Sequence, residues 1–197
     1  MRKVAIFVEG QTEQIFVREF IIRTFNPAEI SYTCLKLYQE KFQSVPYTYK
    51  SPSSKLHFMI VDAGNDVKVL SAIRDREINL FQKGFERVFG LRDVYSEEYI
   101  KRANEKIDFD VIRQIVEGSI KTVNTMTNGA NIELFFAIME IEAWFLSLYR
   151  LFEKIDNELT YQYIEEALGF NLEKVDPQIE FVKPSEVLGD IMKLIGK

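Results

Sequence analysis

Apolar residues occur along the chain in short runs rich in β-branched and aromatic side chains, and a polar turn follows each run. The runs at residues 4–8, 30–38, 56–61, 85–91 and 132–139 predict five strands. A strand that is apolar on both faces is typical of a parallel sheet covered by helices on two sides. Residues 43–54, which contain two prolines and several Ser and Thr residues, predict a loop instead.

Between these runs, apolar residues recur at helical spacing. Ile15, Phe16, Phe20 and Ile21 predict a first helix, which Thr12 would cap and Asn26–Pro27 would end. Further helices are predicted after residue 66, with Ile73 and Ile78 inside, over residues 109–121 and 144–152, and in one or two short pieces after residue 160. Alternating strands and helices predict an α/β, Rossmann-like, mostly parallel sheet with helices on both faces and a small helical C-terminal extension.

Composition narrows the chemistry that this fold could carry. The chain has 197 residues, with one Cys and one His. A single cysteine, Cys34, excludes an internal disulfide framework and a zinc site built on several thiolates, and a single histidine, His57, excludes two-His zinc motifs. We expect both to be packed in the interior. Any metal would therefore be held by carboxylates, which favours Mg²⁺ or Mn²⁺.

The net charge and the lengths of the apolar runs limit the partners that can be expected, whether nucleic acid or membrane. A net charge of -5 predicts only modest affinity for nucleic acid, and the lysines at positions 36, 41, 50 and 55 are more typical of a solvated loop than of a phosphate site. No run approaches the roughly 18 apolar residues that a membrane helix requires, and the N-terminus lacks signal-peptide features. We therefore expect a cytoplasmic protein without a membrane partner.

Acidic residues follow the predicted strands at their carboxyl ends, where ligands bind in open α/β sheets. Four acids end strands and two more begin the helices that follow: Glu9, Asp62, Asp93 and Glu140, then Glu13 and Glu142. If the strands are neighbours, these carboxylates converge and require a cation. Glu13 and Glu142 could instead only favour helix N-termini, and Asp62 and Asp66 suit a turn or a helix cap. Arg92 could neutralise one acid, although adjacent strand positions point to opposite faces and Asp93 is therefore a poor partner for it.

The opening segment VAIFVEGQTEQIFVREFI resembles Toprim domains, the metal-dependent fold shared by topoisomerases, primases, recombination-repair proteins and OLD-type nucleases. The matching features are an apolar strand with an E-G turn, a Gly-containing turn at residues 62–66, and an acid after the next strand. The block Glu140-Ile141-Glu142-Ala143-Trp144 is similar to one in bacterial Toprim-like proteins related to OLD-type nucleases. The likeness spans roughly residues 1–150, which would leave residues 151–197 as the helical extension.

The resemblance implies a Mg²⁺- or Mn²⁺-dependent nuclease acting on DNA or RNA, with one or two ions. It assigns catalysis to Glu9, Glu13 and Asp93, and metal binding to Glu9, Asp93, Glu140 and Glu142. Tyr95 stands where the family has a second Asp, and Ser96, Glu97 or Glu98 could replace it. The alternatives are a catalytically weak nucleic-acid-binding or regulatory protein and a protein-interaction module, in a bacterial phage-defence setting. For the module, the stripe from Trp144 to Phe152 could dock a partner or another copy, although such a stripe is usually core.

Overall fold

The computed structural model describes residues 1–95, 97–103 and 107–195, and the side chains at positions 66, 67, 97 and 98 lie outside this description. Six strands form a single sheet in the order β3-β2-β4-β1-β5-β6. They are β1 (Arg2–Val8), β2 (Ile30–Tyr38), β3 (Lys41–Ser44), β4 (Leu56–Asp62), β5 (Arg87–Asp93) and β6 (Ile132–Ala137). Only β3 is antiparallel to its neighbour. The α/β, Rossmann-like fold that the sequence predicts is thus confirmed.

Ten α-helices lie within the described residues. They are α1 (Gln11–Thr24), α2 (Asp66–Arg74), α3 (Glu77–Gln82), α4 (Glu97–Ala103), α5 (Phe109–Asn124), α6 (Ile141–Ser147), α7 (Phe152–Ile155), α8 (Tyr161–Leu168), α9 (Pro177–Glu180) and α10 (Pro184–Met192). Pro177 and Pro184 each occupy the first helical position, where the missing N–H has no intrahelical acceptor to lose. None of the described helices is long and apolar enough to cross a membrane.

Helices cover the sheet on both faces. Helix α1 packs on one face, where Ile21 meets Ile30, Phe58 and Ile60. Helices α2 and α3 and the end of α5 cover the other face, where they meet the side chains of Ala5 and other core residues of the strands. Alternate residues of β1 and β4 therefore enter two different cores, which explains the continuous apolar runs at residues 4–8 and 58–61 within these strands.

A further core is formed by the C-terminal helices. Its buried members are Leu146, Phe152, Leu159, Ile164, Leu172, Ile191 and Leu194. Helix α6 contacts both α9 and α10, which joins these helices to the rest of the chain. The division at residue 150 stays a prediction.

Several local expectations were wrong. Helix α1 begins after Gly10 rather than with Thr12 as its cap, and Ile78, expected inside, is 52% exposed on α3. The loop predicted over residues 43–54 includes the end of β3 and a bridge from Tyr49 to Tyr32. The helix predicted over residues 144–152 is broken by a 3-10 turn at Tyr149–Leu151.

Candidate functional site

The carboxyl ends of the five parallel strands meet at one edge of the sheet, and this edge contains the topological switch point. The chain leaves β1 through α1 toward β2 on one side, whereas it leaves β5 toward β6 on the other. Backbone register keeps the strand ends level, because Val8 pairs with Asp62 and Asp93 pairs with Ala137. In open α/β sheets the crevice at such a point is the usual ligand site.

Glu9 and Asp93 lie next to each other at this switch point. The Glu9 carboxylate accepts a hydrogen bond from the backbone N–H of Asp93. The Asp93 carboxylate in turn accepts from the backbone N–H of Tyr95, at 2.6 Å. Both acidic side chains are half-buried. The structure therefore brings together the two residues that the sequence placed at the ends of β1 and β5.

A second group of acids, Glu13, Glu140 and Glu142, lies at the N-termini of α1 and α6. Burial raises the pKa of the Glu142 carboxyl above its ordinary value, and the negative charges of Glu140 and Glu13 raise it further. The three side chains are thus close enough to interact. Backbone groups hold two of them, since Glu13 Oε2 accepts from Gly10 N at 3.1 Å and Glu140 Oε2 accepts from the N–H of Ser185 at 3.2 Å.

An aromatic contact explains why α1 and α6 meet. The rings of Phe16 and Trp144 pack edge to face with centroids 6.2 Å apart. Phe16 comes one turn after Glu13, and Trp144 comes shortly after Glu142. Packing between two helices that are far apart in sequence thereby places the acids of one beside the acids of the other.

The secondary candidates have different surroundings. Asp62 is buried, and its Oδ1 accepts a hydrogen bond from Gly64 N at 2.8 Å. This contact stabilises the turn after β4, which was the alternative to a role for Asp62 as a ligand. The Asp66 side chain is outside the described residues, and Asn65 caps α2 by accepting from the Lys68 N–H at 3.0 Å. Asp66 thus begins the helix and is not its cap.

Arg92 points toward α5, where its Nη1 donates to Ser119 Oγ at 2.9 Å. Its Nε is buried and, among the described residues, has no hydrogen-bond partner. A buried donor without an acceptor carries a free-energy cost, which the hydrogen bond from the same guanidinium to Ser119 does not remove.

Tyr95, the departure from the family pattern, is tied to the C-terminal helices. Its hydroxyl donates to the backbone carbonyl of Val182, and its ring packs on Tyr99 with centroids 5.6 Å apart. A structural role explains a tyrosine here. Ser96 and the side chains of Glu97 and Glu98, which could replace the missing acid, lie outside the described residues.

Gln14 is a further residue that supports this site. This side chain is 2% exposed and its Nε2 donates to two backbone carbonyls, Leu35 O at 2.8 Å and Ile60 O at 3.0 Å. It fixes α1 against β2 and β4 and so helps to set the position of Glu13. Nothing in the helical apolar pattern singles out this polar residue.

The donor set suits a hard cation, since every candidate ligand at this edge is a carboxylate. Among the described residues, no three acidic, His or Cys side chains lie close enough to hold one ion together. Mg²⁺ commonly takes only one or two carboxylates and completes its coordination with water and substrate phosphates. Glu9 and Asp93 supply two carboxylates at the ends of neighbouring strands, and the metal site itself stays a prediction.

Comparisons with protein-family models, with curated proteins and with solved structures found no match to this chain.

Proposed function

We propose that the chain is a Mg²⁺- or Mn²⁺-dependent phosphoryl-transfer protein of the nuclease type that acts on nucleic acid. The observation that carries the proposal is the contact between the Glu9 carboxylate and the backbone of Asp93 at the β1–β5 switch point. The resemblance of the E-G-x-x-E segment and of the strand-end acids to Toprim nucleases supports the same assignment.

In this proposal Glu9 and Asp93 hold the ion from two neighbouring strands. The bound metal would supply Lewis-acid polarisation of the scissile phosphate and a water of lowered pKa. Glu13, one helical turn away from Glu9, would accept the proton of the attacking water. Glu140 and Glu142 would ligate a second ion if two are used, because their charges already face that of Glu13.

A second candidate is a catalytically weak nucleic-acid-binding or regulatory protein. It is favoured by Tyr95, which stands in place of an acid and is occupied by a hydrogen bond to Val182. An interaction module is a further candidate, since Leu148 is 58% and Leu151 is 41% exposed. Either candidate, with a nucleic acid or a protein as its partner, is consistent with the bacterial phage-defence setting that the resemblance implies.

The test is cleavage of labelled single-stranded DNA, double-stranded DNA and RNA in the presence of Mn²⁺. We expect one of these substrates to be cut by the wild-type chain. Asp93→Asn and Glu9→Gln should each lower the rate by at least about 100-fold, because each removes a charged ligand. Glu117→Gln is the matched control, since Glu117 is exposed on α5 and the change in charge is the same.

The outcomes separate the candidates. Cleavage that persists equally in Asp93→Asn would identify a contaminant and overturn the nuclease proposal. Binding of the same substrates without cleavage would favour the weak, regulatory alternative. Calorimetry with Mn²⁺ adds a readout that does not depend on the substrate, and no heat from the wild-type chain would overturn the metal site.

A further inference from the structure

A cavity of about 520 Å³ lies at the opposite edge of the sheet, where the strands begin. Its lining includes Lys3, Ser31, Lys50, His57, Lys83 and Phe85. Its position separates it from the carboxylate edge, because parallel strands run from one edge to the other. None of the acids discussed above contributes to it.

The floor of the cavity is a row of side chains on neighbouring strands. Ser31 on β2 pairs with His57 on β4, which pairs with Lys3 on β1, so all three side chains point to the same face. Ser31 Oγ and His57 Nδ1 are 2.9 Å apart and hydrogen-bonded. The Lys3 ammonium donates to the backbone carbonyl of Lys83 at 2.9 Å and lies 5.9 Å from the centroid of the Phe85 ring.

Positive charge accumulates in this cavity. Lys3, Lys50 and Lys83 all line it, and none of the three forms an ion pair with any carboxylate in the described part of the chain. The pKa of His57 is lowered from its ordinary value by burial and also by the charges of Lys3 and Lys50. Two lysines on different elements thus act on the same partly enclosed space.

We propose that this cavity binds the phosphate group of a small phosphorylated molecule. Three ammonium groups without a carboxylate among the described lining residues attract an anion. Each ammonium carries three N–H donors, and the Lys3 group uses one of them on the backbone carbonyl of Lys83. A volume of about 520 Å³ exceeds what a single inorganic ion fills and lies within the range of small-molecule sites. Phe85 provides an apolar wall for the organic part of such a ligand.

His57 is the only histidine in the chain, so its ring signal in a nuclear magnetic resonance spectrum reports on this cavity alone. The probe is inorganic pyrophosphate, added to the full chain in buffer that contains a chelator and no divalent metal. We expect the His57 Cε1–H resonance to move in a saturable manner. Sodium chloride at the same ionic strength should leave the resonance where it was.

The matched variants test the lysines. Lys50→Gln/Lys83→Gln changes two exposed residues of the cavity and should weaken pyrophosphate binding by at least about tenfold, equivalent to about 1.4 kcal/mol. Lys41→Gln/Lys121→Gln makes the same change in charge away from the cavity and should bind like the wild type. A His57 resonance that pyrophosphate does not move, or equal weakening in the two double variants, would overturn the proposal. Because no metal is present, neither result depends on the nuclease proposal.

Discussion

Gly90→Ala is expected to destabilise the strand that carries Asp93. Gly90 lies in the middle of β5, beneath α2 and beside β6. A Cβ at this position would lie 2.7 Å from Leu134 Cδ2, 2.9 Å from Ile73 Cδ1 and 3.3 Å from Val69 Cγ1. All three neighbours are core side chains, and Ile73 and Val69 are fully buried. The first two distances are too short for a carbon–carbon contact, so the added methyl group must displace its surroundings.

The size of the effect follows from overpacking. Forcing one extra methyl group into a packed core costs about 1–3 kcal/mol. In a chain of this length each kcal/mol lowers the melting temperature by roughly 2–4 °C. Because Asp93 lies three residues after Gly90 in the same strand, any displacement of β5 would also move the candidate site.

Urea unfolding followed by circular dichroism measures the loss. Gly118→Ala is the matched control, because no atom of the described residues, apart from the backbone of the helix itself, lies within 4 Å of the Cβ position at Gly118. Gly118 is inside α5, where alanine is favoured over glycine by about 1 kcal/mol. The same chemical change should therefore have opposite signs at the two positions. If Gly90→Ala unfolds at the same urea concentration as the wild type or a higher one, the packing described around β5 is incorrect.

Three further predictions concern buried ionisable groups. Glu77→Ala should lower the free energy of unfolding by about 2–3 kcal/mol, because the buried Glu77 carboxylate accepts hydrogen bonds from Thr127 N at 3.1 Å and from Asn128 Nδ2 at 2.5 Å. A loss below about 0.5 kcal/mol in urea unfolding would contradict this prediction. Burial raises the pKa of the Cys34 thiol to about 11, so a thiol reagent at pH 8 should label only the unfolded chain, and rapid labelling of the native chain would refute this. The stabilisation linked to this thiol should be lost as pH rises from about 9 toward 11, because the unfolded chain then releases the thiol proton more readily than the folded chain. Glu142→Gln should unfold at a higher urea concentration than the wild type at pH 7, because the raised pKa of Glu142 shows that its charged form is disfavoured in the folded chain. This difference in stability should disappear as pH falls and the wild-type carboxyl takes up its proton; a difference that does not change with pH would contradict this explanation.

The strands were predictable because burial on both faces leaves a clear mark in the sequence. The run at residues 30–38 became β2 with the predicted bounds, and the other four runs each contain the strand expected there or most of it. Strand β3 was missed because all four of its residues are exposed at the edge of the sheet. An edge strand without a buried side chain has no apolar pattern for a sequence to reveal.

The orientation of α1 could not be read from its apolar residues. Ile15, Phe16 and Phe20 are all at least one-third exposed, whereas the polar Gln14 is buried. The buried amide is favourable because it satisfies the carbonyls of Leu35 and Ile60. Those acceptors lie on two strands that are distant in sequence, so the local pattern contains no information about them.

For the charged residues too, the local sequence predicts the position along a strand but not the contacts between distant segments. A parallel sheet brings all strand ends to one edge, and the sequence therefore predicted that Glu9 and Asp93 share an edge. Their contact depends on β5 lying beside β1, which only the strand order reveals. The basic cavity at the other edge was not predicted, and Lys50 was assigned to a solvated loop, because Lys3, Lys50 and Lys83 lie on separate segments and converge only in the folded chain.

A net charge of -5 is consequently a poor guide to the partners of this chain. The sum combines an acidic edge, where strands β1 and β5 end, with a basic cavity at the edge where the strands begin. The field near each edge is set by the charges within about one Debye length, roughly 8 Å at physiological salt, and not by the total. A strand of seven residues spans more than 20 Å, so the two edges are screened from each other. The proposed cation site at the acidic edge and the proposed phosphate site in the basic cavity are therefore compatible within one chain.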